Sequence, residues 1–494
     1  MRMVRPKFTF FWLASASSAL LCWTLILISR TRIPTLIPLG VWQPEQFFVS
    51  SPALLLDGFS WPYAMSLVTL ALAVVLSDIA RTSEVDWSSW ASILVLIAIG
   101  LIAVMAGNQL TLLLAWAAID LFELFVWMIH IYDSSVRERI VIAFSLRSFG
   151  LMLTLWGGGS GEIFIIAVAL RLAALPLHLP ASEFLSIRRG LGTVIRIVPA
   201  IASLVFVARV AVMGVSPTIT SPLLIAAWII ALYASIMWLL AKNELDGRPY
   251  WVQSMSVISL AAAVRGQPVA SLMLGISMLH AGALLYLYSA RNRYLSVIPL
   301  IGLLGISFLP LSPSWDAARL YSAPLSSWML AFLIPQSFLF LGYLRHAFRT
   351  GESLNGVERM VFVIYPWGLL FLPLTQFMIG YWDWRNIVQQ GTGYQYPTSM
   401  NPIEYWSGFF VFALIVLWVA IWRLFPSKRI TKPFKFGRLF SLDWIFWIGR
   451  SAYHIMSSII LVLTGIFEGE GGILWTLLIL VLLFAFFAQG GLGR

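Results

Sequence analysis

The chain has 494 residues, of which 60% are hydrophobic and only 11% charged, and its mean hydropathy is +0.88. A soluble domain of this size needs roughly a quarter of its residues charged to clothe its surface, so a water-soluble fold is excluded. The net charge of +11 does not mark a nucleic-acid binder, because the basic residues lie in short segments between apolar runs rather than on one patch.

The apolar runs, taken in order, are 8–29, 59–80, 90–107, 110–131, 140–157, 162–179, 192–213, 221–241, 250–264, 268–290, 294–311, 325–344, 357–379, 406–424 and 472–488. Each is read as a transmembrane helix, since roughly 18 or more apolar residues cross ~30 Å of hydrocarbon. The result is an all-α polytopic membrane protein of about fifteen spans. The first run follows Arg2, Arg5 and Lys7, ends at Arg30 and Arg32, and reads as an uncleaved helix rather than a signal peptide.

Charge placement sets the expected orientation. With the N-terminus cytoplasmic, the inner segments hold Arg81, Arg137, Arg139, Arg188, Arg189, Lys242, Arg248, Arg291, Arg293, Arg345, Arg349, Arg359 and the basic stretch 428–438. The outer segments hold Arg30, Arg32, Arg265, Arg319 and Arg385. That asymmetry places the chain in the inner (plasma) membrane with an external C-terminus. The segment 439–468 mixes Arg450 and His454 among apolar residues and reads as an amphipathic helix lying laterally on the cytoplasmic face. Three regions follow: 1–58, an N-terminal helix and outer loop; 59–424, the transmembrane core; and 425–494, the basic segment, lateral helix and last span.

No phosphate-binding loop, nucleophile triad or metal cluster is visible, and Cys22 is the only cysteine, so neither a metal nor a cofactor is expected. What remains is polar residues at membrane depth, which are costly there and therefore either paired or functional. They are Asp120 and Glu123 after Asn108 and Trp116; Arg147; Arg171, Pro176, His178 and Pro180; Asp246 and Arg248; and His280. Asp246 and Arg248 read as a helix-end salt bridge.

At these residues the chain resembles the antiporter-like membrane subunits shared by respiratory complex I, the Mrp cation/proton antiporters and membrane-bound hydrogenases. The landmarks, in order, are LGVW at 39–42, LLLDGFS at 54–60, the Asn108-to-Trp116 spacing, RLAALPLHLP at 171–180, ELDGRPYWVQSMS at 244–256, LHAGALLYL at 279–287, LDW at 442–444 and EGEGGILW at 468–475. The resemblance implies two inverted bundles near 90–213 and 221–344, each with a broken helix. The first break is expected at Pro176–Pro180 and the second within 294–325, where Pro299, Pro310 and Pro313 stand. It also implies that Asp120, Glu123, Arg147, Arg171, His178 and His280 are the candidates for ion translocation.

The departures bear on mechanism. Ala117 stands where the family places a glutamate, Arg171 where it places the broken-helix lysine, and Leu284 where it places the lysine after the helix histidine. A buried lysine can give up a proton near neutral pH, whereas a guanidinium holds its proton even when buried. Asp120 lies one turn from Ala117 and is able to stand in for the glutamate; mutual neutralisation with arginine explains it equally.

The function implied is a membrane-arm subunit of an NADH:quinone oxidoreductase-like or Mrp-like complex, without an active site of its own. It is expected to partner the lipid bilayer and other membrane subunits, and no nucleic acid. Two alternatives stand beside it: a non-transporting structural subunit of such a complex, and a membrane subunit of an ion-coupled inorganic-carbon uptake complex.

Overall fold

The computed structural model describes residues 6–40, 51–81, 87–131, 133–157, 160–172, 187, 189–290, 294–322, 327–349, 351, 359–381, 389, 400–424, 443–467 and 476–481. Eleven helices among them are long and apolar enough to span a membrane. The architecture is all-α, and the protein is a multi-pass membrane protein. The helices are α1 (Pro6–Ser29), α2 (Ser60–Asp78), α3 (Trp87–Val104), α4 (Gln109–His130), α5 (Ser134–Trp156), α6 (Gly161–Arg171), α7 (Gly190–Met213) and α8 (Pro217–Leu240). They continue with α9 (Glu244–Val264), α10 (Pro268–Leu287), α11 (Val297–Gly305), α12 (Leu333–Ala347), α13 (Arg359–Tyr381), α14 (Pro402–Leu424) and α15 (Asp443–Phe467).

The expected runs that do not qualify as spans have identifiable reasons. Helix α6 stops at Arg171 and α11 at Gly305, so each is a half-length segment. The run expected at 250–264 begins six residues earlier, because Asn243 accepts from the Asp246 amide and caps a helix whose opening turns carry Glu244, Asp246 and Arg248. Those charges lower its hydropathy without shortening it. The last run, 472–488, lies mostly outside the described residues, as do Pro176, His178 and Pro180 of the first expected break.

One end of the bundle is tied by a small hairpin. Strand β1 (Thr35–Pro38) pairs antiparallel with β2 (Ala53–Leu56), and Leu54 bridges to Ala106 beyond α3. Gly107 donates to the Ala53 carbonyl at 2.8 Å, and a Cβ on it would sit 3.1 Å from that oxygen. Asn108 does two jobs. Its Oδ1 caps α4 by accepting from the Thr111 amide at 2.9 Å, while its Nδ2 donates to the Ser51 carbonyl. In the D-G-F-S turn, Asp57 Oδ1 accepts from the amides of Phe59 and Ser60, and Oδ2 pairs with Arg209 of α7 at 3.0 Å.

The core is α2, α7, α9 and α10, all almost wholly buried; every residue of α10 is. Small residues permit this density: Gly275 of α10 meets the Tyr63 ring and Gly282 meets Trp251. Beyond Gly305 the chain leaves helical geometry, with Phe308 (φ 53°) and Leu311 (φ 66°) in the left-handed region on either side of Pro310, and then forms a 3-10 turn over Trp315–Tyr321. The second break therefore falls inside the expected interval.

Helices α13 and α14 hold this break in place. Gln376 donates to the Gly305 carbonyl at 2.7 Å and to Ser277, satisfying a helix end at membrane depth. Gly408 packs on the Phe308 carbonyl, and a Cβ on Gly380 would lie 2.5 Å from Pro313 Cα. Replacing Gly380 with alanine forces backbone against backbone. It is expected to cost about 1–3 kcal/mol, read as a lowered thermal midpoint of the purified protein in detergent.

The residues from Lys435 onward form a separate unit. Its described part is the 25-residue helix α15 and a short helical stretch at 476–481. Helix α15 is continuous from Asp443 to Phe467 and amphipathic, as expected of the segment 439–468.

Candidate functional site

Helix α4 carries Trp116, Asp120, Glu123 and Trp127 at spacings of four, three and four, which place them on one stripe. All four are buried; Asp120 is 2% and Glu123 3% exposed. Carboxylates this deep need partners, and two neighbouring helices supply them. From the end of α6, Arg171 grips Asp120 with both terminal nitrogens, at 2.7 and 3.1 Å. From α5, Arg147 donates to Glu123 at 2.5 Å and approaches the nearer Asp120 oxygen at 3.7 Å. Trp127 adds a 3.2 Å bond to the other Glu123 oxygen.

Arg171 owes its position to three things. It is in the last turn of α6, where the helix dipole favours a cation. Its guanidinium lies 4.3 Å over the Trp116 ring, a cation–π contact. That ring is itself fixed, because Nε1 donates to the Ala202 carbonyl at 3.1 Å and Phe164 and Phe206 pack against it.

The cluster opens onto a cavity of about 70 Å³, lined by Glu123, Arg147 and Arg171 together with Arg196 of α7 and Pro249 and Gln253 of α9. Arg196 sits over Trp127 at 5.9 Å. One turn further along α7, Thr193 accepts from Arg248 at 3.2 Å, and Arg248 also donates to the Arg189 carbonyl. Arg189 in turn donates to Glu244 at 3.1 Å and to the Tyr286 carbonyl at 3.0 Å. A file of charged groups thus runs from the end of α6 at Arg171 to the α7 end at Arg189.

The structure brings together four of the six candidate residues: Asp120, Glu123, Arg147 and Arg171. His280 stands apart on α10, with Nε2 at 2.9 Å from the Ser66 hydroxyl of α2. His178 lies outside the described residues. The salt bridge expected between Asp246 and Arg248 is not the arrangement found. Asp246 accepts from the Asn243 side chain at 2.7 Å, and Arg248 turns inward to α7. Sequence reasoning also passed over Arg196, Arg189 and Glu244 as site residues; the signal for Arg196 was an arginine inside the apolar run 192–213.

No family model matches the sequence, and no curated protein does. Solved structures do. A chain of the Mrp complex from Dietzia sp. DQ12-45-1b superposes on 99% of this protein with TM-score 0.64 at 13% identity, this protein spanning 61% of its length. The chain has the antiporter-like fold. A chain of the membrane-bound sulfane sulfur reductase, an archaeal respiratory membrane complex, is similar at matching length, with 98% of this protein and 97% of that chain covered, TM-score 0.64 and 14% identity. Respiratory complex I from Thermus thermophilus with bound aureothin provides a third, covering 76% of this protein and 93% of that chain at TM-score 0.54 and 14% identity. Helices α6 and α11 are only 11 and 9 residues long, and the charged file begins at the end of the first.

Proposed function

We propose that this protein is a membrane-arm subunit of a multi-subunit complex of the Mrp or complex I kind, with a charge-gating site in its first bundle and no lysine-based proton relay. The observation that carries the proposal is the bidentate Arg171–Asp120 pair at the end of a half-helix. A guanidinium there stabilises or releases a carboxylate but does not surrender its own proton. Arg147 supplies the moving part of the gate. It lies between two carboxylates, bonded to Glu123 and 3.7 Å from Asp120, so protonating one shifts it toward the other.

Sequence and packing support the absence of a lysine relay. The five lysines are Lys7, Lys242, Lys428, Lys432 and Lys435, none within a helix core, and Leu284 is wholly buried beside Gly302. The second bundle offers His280 on α10, and Gln376 reaches that helix at Ser277 from α13 outside the bundle. The excess of arginine and lysine in alternate segments supports an N-terminus on the cytoplasmic side of the plasma membrane and an external C-terminus, with regions 1–58, 59–424 and 425–494 as organised above.

A second reading, a purely structural subunit, is favoured by one observation: each carboxylate of the cluster is already paired with a guanidinium. Proton flux into proteoliposomes separates the two. The complex, purified in mild detergent with its companion subunits, is expected to show flux that falls when Asp120 becomes asparagine. Flux identical in the wild type and in Asp120→Asn would favour the structural reading. Companion proteins unrelated to quinone-, hydrogenase- or antiporter-type subunits would remove the proposal altogether.

A further inference from the structure

The walls of the first-bundle cavity hold more guanidinium than carboxylate. Arg147, Arg171 and Arg196 line it, and Glu123 is the carboxylate among its lining residues; Asp120 stands behind, engaged by Arg171. The Arg171 side chain is 1% exposed, yet its Nε–H has no acceptor among the described residues. A buried donor of this kind is normally met by something that occupies the adjoining space. Beyond the lining residues, cationic side chains again outnumber carboxylates. Arg248 interacts electrostatically with Arg196, Arg189 and Glu244, two guanidiniums to one carboxylate, and donates to the Arg189 carbonyl and the Thr193 hydroxyl. Gln253 adds an amide to the wall.

We propose that this cavity is a binding site for a small monovalent inorganic anion of halide size, held between Arg171, Arg147 and Arg196. The volume of about 70 Å³ admits such an ion with accompanying water. Guanidinium groups suit the task, being weakly hydrated and rich in donors. An anion here would hold Arg147 and Arg196 apart and set how readily Arg147 leaves Glu123. The site stands whether or not the subunit moves protons.

The test uses the full chain in detergent, unfolded thermally at constant ionic strength in sodium chloride, sodium bromide or sodium gluconate. The wild type is expected to gain stability saturably in chloride and bromide but not in gluconate. Arg196→Gln is expected to weaken the apparent halide affinity at least about tenfold, whereas Arg196→Lys, which keeps the charge, and Arg32→Gln, at an exposed position, retain it. An equal halide response in Arg196→Gln would place the effect elsewhere and overturn the proposal. Should that variant fail to fold, bromide-soaked crystals of the wild type decide. An anomalous peak in the cavity supports the site, and water alone there refutes it.

Discussion

Replacing Asp120 with alanine is expected to lower the stability of the purified protein by about 3–5 kcal/mol, because it leaves a buried guanidinium without its counter-charge. The cost falls mainly on Arg171, whose two terminal nitrogens both bind that carboxylate and whose side chain has almost no access to solvent. Arg147, bonded chiefly to Glu123, cannot release its own partner to compensate. Removing both members, as in Asp120→Ala with Arg171→Met, is expected to recover most of the loss, since an apolar pair of similar volume avoids the desolvation that an ion pair must overcome. Denaturation in detergent of the two single variants and the double variant reads the coupling directly. Additive losses would show that the two residues do not depend on each other, and the site described above would then be wrong. The same double variant separates the two functional readings. A subunit that uses the pair only to fix helix register keeps its assembly and its flux, and one that gates through it loses flux while staying folded.

The second large effect is expected at Trp116. Truncation to alanine removes a wholly buried indole, the cation–π platform under Arg171 and the bond to Ala202, at a combined cost of about 3–5 kcal/mol. Phenylalanine at the same position keeps an aromatic face for the guanidinium and loses the Nε1 donor, so its expected cost is nearer 1–3 kcal/mol, for the carbonyl left unmet. The contrast is informative in a way that either variant alone is not. If Trp116→Phe destabilises as much as Trp116→Ala, the hydrogen bond to α7 matters and the stacking does not. Thermal midpoints of both variants, measured alongside the Asp120 series, provide that comparison.

The helices were legible wherever apolar residues ran unbroken, as in α2, α7 and α10. Where a helix end carried charge, as at Glu244, Asp246 and Arg248, hydropathy placed the start too late, and only the Asn243 cap marks it. The second break was legible because Pro310 and Pro313 cannot continue a helix, but what stabilises it was not. Gln376 reaches Gly305 across 71 positions of chain. The candidate site was half legible for the same reason. The spacing of Asp120 and Glu123 puts both on one face, and Arg147 in the next helix was a natural partner. The grip of Arg171 on Asp120 spans 51 positions, and no periodicity reports a contact between segments that distant. Resemblance located Arg171 without indicating its partner. Arg248 misled in the opposite direction: Asp246, two residues away in sequence, is on a different side of the helix, so proximity along the chain suggested a bond that geometry does not allow.

Helix α10 has no surface that touches lipid. A rod enclosed on every side by other helices, with glycines meeting the rings of Tyr63 and Trp251, has no room to tilt, roll or slide without emptying space that nothing nearby is free to fill. Changes in bilayer thickness or composition reach it only through its neighbours. Any coupling between the two halves of the molecule must then pass around this fixed axle, through side chains and the two half-helices, and not by movement of the axle itself.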